Sequence, residues 1–188
     1  MSETSDVLFW RRKDGAGFER LTLEISEDAV IATSSVICLD EGGFRLDHSW
    51  RLTPDWRAIS VPVDKWSRAG HARLTLERVG GGWLANGRRR PDLDGAEEPD
   101  LTVTPFCNTF PIRRLPSYAN AVSMLRACVI DAADLSLTSS MQRYERLDET
   151  HVRYVDLGRY AGFTAVLTVD DHGLVRDYEG LFERVSPA

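Results

Sequence analysis

The chain has 188 residues, of which 43% are hydrophobic and 28% charged, the balance of an ordinary globular protein rather than a disordered or helical membrane-spanning one. A net charge of −6 argues against sequence-independent binding of nucleic acid, which depends on cations neutralising phosphates. Nearly all the positive charge is arginine, with lysine only at Lys13 and Lys65; codon bias and a bidentate grip on phosphate or carboxylate are the two readings of that choice.

The first residues, MSETSDVLFWRRKDG, contain no apolar core of a secretion signal, and no run approaches the length of a transmembrane helix. The three cysteines, Cys38, Cys107 and Cys128, are odd in number and widely spaced, which fits a reducing compartment rather than a disulfide scaffold or zinc site. A cytoplasmic location is expected, with no cofactor and no metal.

Along the chain, period-two alternation dominates. ERLTLEI puts Leu21, Leu23 and Ile25 on one face, and FRLDHSWRL puts Phe44, Leu46, His48, Trp50 and Leu52 on one face against Arg45, Asp47, Ser49 and Arg51 on the other. AISVPVD (Ile59, Val61, Val63), ARLTLER (Leu74, Leu76) and FTAVLTVD (Ala165, Leu167, Val169) repeat the pattern. Turn signals separate them, including Asp14-Gly15, Gly80-Gly81-Gly82, Asn86-Gly87 and Asp171-His172-Gly173. Many short strands joined by tight turns predict an all-β fold in one domain over 1–188, a sheet of antiparallel strands curved into a barrel or half-barrel. An echo of the form A-x-L-T-[LV]-x-x-x-G at Ala72–Gly80 and Ala165–Gly173 would suit a pseudo-twofold duplication, or two unrelated hairpin segments.

Three segments break the pattern. NGRRRPDLDGAEEPDL, Asn86 to Leu101, reads as an exposed loop of self-compensating charge. TPFCNTFPIRRL, Thr104 to Leu115, cannot be a regular central strand, because Pro105 and Pro111 donate no ladder hydrogen bond. It is expected as a stiff extended connection, bent at Asn108-Thr109 and returning to a strand in which Arg113 and Arg114 face opposite sides. The inward arginine then needs a carboxylate, with Asp92, Asp94, Asp100 and Asp177 as candidates, or an anionic ligand. SYANAVSMLRACVID, Ser117 to Asp131, fits a short helix or a strand, and its all-β surroundings favour the strand.

TPFCNTFPIRRL also resembles the signature string, TPFTNTLPIRRL-like, of a bacterial family named "putative glycolipid-binding", formerly a domain-of-unknown-function family. Gly17-Phe18-Glu19, Trp56-Arg57, Gly82-Trp83, Leu93-Asp94-Gly95, Gln142-Arg143-Tyr144, Val152-Arg153-Tyr154 and Gly180-Leu181-Phe182 extend the likeness over most of the chain. The resemblance implies an all-β barrel similar in outline to envelope lipoprotein carriers and a lipid or glycolipid as the small-molecule partner. Two positions depart from the family: Cys107 stands where it more often has Thr, and Ala96–Leu101 stands where it has a Cys-x-Asp-Val-Asp run.

The candidate ligand-binding residues are accordingly Arg113, Arg114, Asn108 and Thr109 of the signature, Trp50 and Trp56 as cavity-lining rings, His48 on the apolar face of its strand, and Tyr144 and Tyr154 from the family-like tripeptides. Each ring is equally readable as ordinary core, and His48 as a satisfied core histidine. The alternative function is an enzyme, a hydrolase or isomerase acting on a small hydrophobic or glycan substrate through His48 or an aspartate such as Asp94. No nucleophile elbow, phosphate-binding loop or dinucleotide fingerprint supports it.

Overall fold

The structure is a computed structural model, described here for residues 4–186, the side chains of Thr4 and Glu41 excepted. Its strands are β1 (Thr4–Arg12), β2 (Gly17–Ile25), β3 (Val30–Cys38), β4 (Phe44–Leu52), β5 (Ala58–Ser67), β6 (Gly70–Val79), β7 (Gly82–Ala85), β8 (Arg88–Arg89), β9 (Glu98–Leu101), β10 (Val122–Ile130), β11 (Leu137–Arg146), β12 (His151–Asp156), β13 (Thr164–Val169), β14 (Val175–Tyr178) and β15 (Phe182–Val185). One helix, α1 (Thr109–Arg114), follows a 3-10 turn at Phe106–Asn108.

All fifteen strands belong to one sheet in the order β8-β7-β6-β5-β4-β3-β2-β1-β15-β14-β13-β12-β11-β10-β9. Two antiparallel meanders, eight strands and six, join where β15 pairs with β1, and β9 adds the one parallel edge against β10. The sheet curls into a half-barrel: the edge strand β9 comes against β5 through side chains, with no ladder between them among the described residues. Both segments of the sequence echo are strands running into glycine turns, in meanders of unequal length.

The alternation expected from sequence is the burial observed. Phe44, Leu46, His48, Trp50 and Leu52 are all buried, as are Leu74 and Leu76, and Ala165, Leu167 and Val169. In β5 the face differs by one residue. Leu52 pairs with Ala58 but Arg51 pairs with Ser60, so Ile59 is the extra residue of a β-bulge, and Ala58 rather than Ile59 joins Val61 and Val63 in the core. Asn86 and Gly87 both have positive φ, 51° and 74°, as the tight turn into β8 requires. Ser117–Asp131 contains the strand β10 and no helix.

Two of the pattern-breaking segments fold otherwise than their composition suggests. Within Asn86–Leu101, Leu93 and Ala96 are buried, and Glu98–Leu101 form β9 rather than an exposed loop, because Glu98 meets Arg78 and Arg114 and the apolar side chains anchor the rest. Within TPFCNTFPIRRL the expected extended connection is instead the 3-10 turn and α1. The prolines permit this: Pro105 precedes the turn, and Pro111 sits in the first turn of α1, where amides have no intrahelical acceptor to lose. Pro116, one residue past the Leu115 cap, stops the helix.

This helical segment fills the concave side of the sheet beneath β4. Phe106 and Phe110 are fully buried with centroids 5.3 Å apart, and Trp50 packs on them at 6.0 and 5.2 Å. Burying two such rings contributes roughly 2–3 kcal/mol each by transfer alone. The plug thus packs into the first meander's interior, and a hollow remains on its flank toward β12–β15.

Candidate functional site

On that flank lies a cavity of about 360 Å³. Thr104, Asn108 and Asp100 line one side, and Tyr154, Phe163 and Tyr178 the other. Tyr154 comes from β12, Tyr178 from β14 and Phe163 from the turn before β13, so the meander brings three rings together although 24 residues of sequence separate the first from the last. Their centroids form a triangle of 6.1, 6.2 and 6.5 Å, with mutual tilts of 41° to 64°. Such tilted contacts are a favourable arrangement for quadrupolar rings.

The polar side is a network drawn from the signature and the strands beside it. Asp100 Oδ1 accepts from the Cys107 thiol at 3.0 Å and Oδ2 from Gln142 Nε2 at 2.6 Å. Tyr144 donates its hydroxyl to Asn108 Oδ1 at 2.9 Å, and Asn108 Nδ2 reaches the Pro105 carbonyl at 3.3 Å. Behind the ring wall, Tyr154 donates to Asp156 Oδ2 at 3.2 Å. Burial raises the carboxyl pKa of Asp100 above its ordinary value, Cys107 and Gln142 lower it by their hydrogen bonds, and the neighbouring Asp156 raises it. Burial also raises the thiol of Cys107 and the phenols of Tyr144, Tyr154 and Tyr178, so these groups stay protonated and act as neutral hydrogen-bonding groups.

A second buried cluster touches the cavity through Thr104. Glu19, 2% exposed, accepts at Oε1 from Ser34 Oγ (2.7 Å), Thr104 Oγ1 (2.9 Å) and His48 Nε2 (3.2 Å), while its Oε2 is buried without a partner. The indole Nε1 of Trp50 can only donate, and it does so to His48 Nδ1 at 2.8 Å. His48 Nδ1 is therefore the acceptor, which leaves Nε2 to donate to Glu19. His48 is a core histidine with both nitrogens engaged.

The candidate residues of the sequence are divided by the fold. Asn108 and Tyr154 line the cavity and Tyr144 supports it. Thr109 is fully buried in α1, its Oγ1 without a partner. Trp50 and Trp56 pack against the plug, with Trp56 held at φ 63°. Arg113 and Arg114, helical rather than in a strand, lie outside the cavity lining. Arg113 stacks over Trp56 at 4.4 Å and donates to the His172 carbonyl, while Arg114 Nη2 stands 2.9 Å from Glu98 Oε1, an ion pair angled outside hydrogen-bond geometry. Its partner is thus a glutamate rather than Asp92, Asp94, Asp100 or Asp177. Asp92 and Asp94 pair with Arg90 and Arg89 on the surface.

Asp100, Phe163 and Tyr178 are the residues that sequence reasoning did not bring to the site. Asp100 is the acidic residue four places before the signature, and Tyr178 lies two residues before the family-like Gly180-Leu181-Phe182, so the signal was present without its geometry.

A family model described as "Putative glycolipid-binding" matches residues 7–184. The chain belongs to this family. Among solved structures it is similar to the crystal structure of a DUF1089 family protein from Pseudomonas aeruginosa, 36% identical over 89% of this chain and 92% of that one, with a TM-score of 0.79. No curated protein matches the chain. No helix of the described residues is long and apolar enough to cross a membrane.

Proposed function

We propose that the protein binds a lipid or glycolipid, holding its head group in the cavity between the ring triangle and the Asp100–Asn108–Thr104 side. The observation that carries this reading is the convergence of three aromatic side chains on the polar groups of the signature segment around one hollow. At about 360 Å³ the hollow is at the small end of ligand pockets, enough for a head group with the start of its chain but not for a whole lipid. Ring surface opposite hydroxyl and amide groups suits a sugar, whose C–H face is apolar and whose edge is hydrogen-bonding. The arginines of the signature are spent on Trp56 and Glu98, so in this proposal they hold the plug in place rather than the ligand.

The test is calorimetric titration with monomeric octyl glucoside, comparing the unaltered protein with Tyr178→Ala. Binding weakened roughly fivefold in a variant that keeps its far-UV spectrum is the expected result, since one stacking ring is worth on the order of 1 kcal/mol. Unchanged affinity overturns the placement in this cavity. One observation keeps an enzymatic reading alive: Asp100, a carboxyl with raised proton affinity, lines the same hollow. Turnover of a bound glycoside abolished in Asp100→Asn would establish it. The three free, buried cysteines fit a cytoplasmic lipid pool as the ligand's source, and cell fractionation is the check.

A further inference from the structure

The charged residues that line the cavity are of one sign. Asp100 and Asp14 line it, Asp156 stands behind Tyr154, and Glu19 stands behind Thr104. No arginine, lysine or histidine is among the lining residues. The cations beside the lining residues are already paired: Arg12 takes both oxygens of the lining Asp14, at 2.9 and 2.8 Å, Lys13 pairs with Asp177 at 2.8 Å, and Arg159, over the ring of Tyr160, pairs with Asp131. With Asp14 so neutralised, three buried or half-buried carboxyls remain, and among their described partners none is an arginine or lysine; the one basic side chain is His48 on Glu19, whose Nδ1 accepts from Trp50. Each oxygen of Asp100 accepts one hydrogen bond and keeps a second lone pair. Glu19 Oε2 accepts none.

An anionic head group entering here would meet like charge in a poorly screened enclosure, with no donor of positive charge to receive it. An ammonium group would meet the free lone pairs of Asp100 and the electron-rich ring surfaces of Tyr154, Phe163 and Tyr178, the two elements from which proteins build sites for organic cations. We infer that the cavity selects by charge: it takes a hydroxylated head group bearing a protonated amine, an amino sugar in chemical class, ahead of the neutral sugar, and refuses the corresponding acid. The inference rests on the cavity reading above.

Three probes that share an octyl chain and a hexose ring test it: octyl glucoside, its 2-amino-2-deoxy analogue and octyl glucuronide, titrated at neutral pH into the full chain. The amino sugar is expected to bind roughly tenfold more tightly than the neutral glycoside, the range of a desolvated cation on aromatic rings, and the glucuronide most weakly. In Asp100→Asn the ratio between amine and neutral ligand collapses toward one. That ratio is independent of how much of the variant folds, and should the variant not fold at all, the ranking on the unaltered protein still decides. Equal affinity for amine and neutral ligand, a glucuronide bound as well as either, or a ratio that survives Asp100→Asn each overturns charge selection while leaving the cavity reading standing. No binding of any probe overturns both.

Discussion

Glu98 shows how tightly the signature's chemistry is tied to its neighbours. Its side chain is 2% exposed, its Oε2 accepts the Ala58 amide at 3.0 Å, and burial raises its pKa against the opposing pull of Arg114. Removing Arg114 leaves the buried carboxylate only the more distant Arg78, at 3.7 Å, as a cation, so Arg114→Met is expected to cost about 1–3 kcal/mol at neutral pH by denaturant titration. The sign with pH follows from the raised value: a carboxyl more basic folded than unfolded favours the folded state at low pH and disfavours it as pH rises through its folded pKa. The deficit of Arg114→Met should therefore shrink on acidification. Asp100 behaves alike, and Asp100→Asn should gain in melting temperature relative to the unaltered protein as pH rises from about 4 to about 8. Cys107 keeps the donor to Asp100 because its buried thiol stays protonated; a hydroxyl there would serve the same bond.

At the scale of elements, the strands were legible and the plug was not. Alternation in β2, β4, β6 and β13 reports directly on a sheet with one buried face, and it placed His48 and Trp50 inward as found. α1 spans six residues, too few to show a period of 3.6, and Pro105 and Pro111 read as strand breakers without saying what replaces the strand. The cavity was still less visible, because Asp100, Asn108, Tyr154 and Tyr178 meet only through the order in which β9 and β12–β14 fold against the plug. Phe110→Ala should cost about 3–5 kcal/mol, as expected of a fully buried ring among Trp50 and Phe106. Pro111→Ala should cost under about 1 kcal/mol, since no helical hydrogen bond depends on it. Hydrogen exchange should find the two-residue β8 at the sheet edge least protected and the amides of the long, doubly flanked β2–β4 most.

For the whole molecule, the decisive joint is β1 with β15, where Phe9–Arg12 lie opposite Phe182–Val185. Trp10 adds a hydrogen bond from its indole to the Val175 carbonyl at 2.9 Å, tying the first strand to β14 as well. Refolding dominated by such distant pairings is expected in the millisecond-to-second range or slower by stopped-flow fluorescence, well behind helical proteins of this size. The centre of the sheet is thus made from opposite ends of the described chain. On a ribosome delivering about 5–20 residues per second, β1 emerges with one side unpaired and must wait on the order of ten seconds or more for the strand that covers it. For that interval the nascent chain presents an open, partly apolar edge to the cell, and its yield will depend on what shields that edge as much as on the stability of the finished fold.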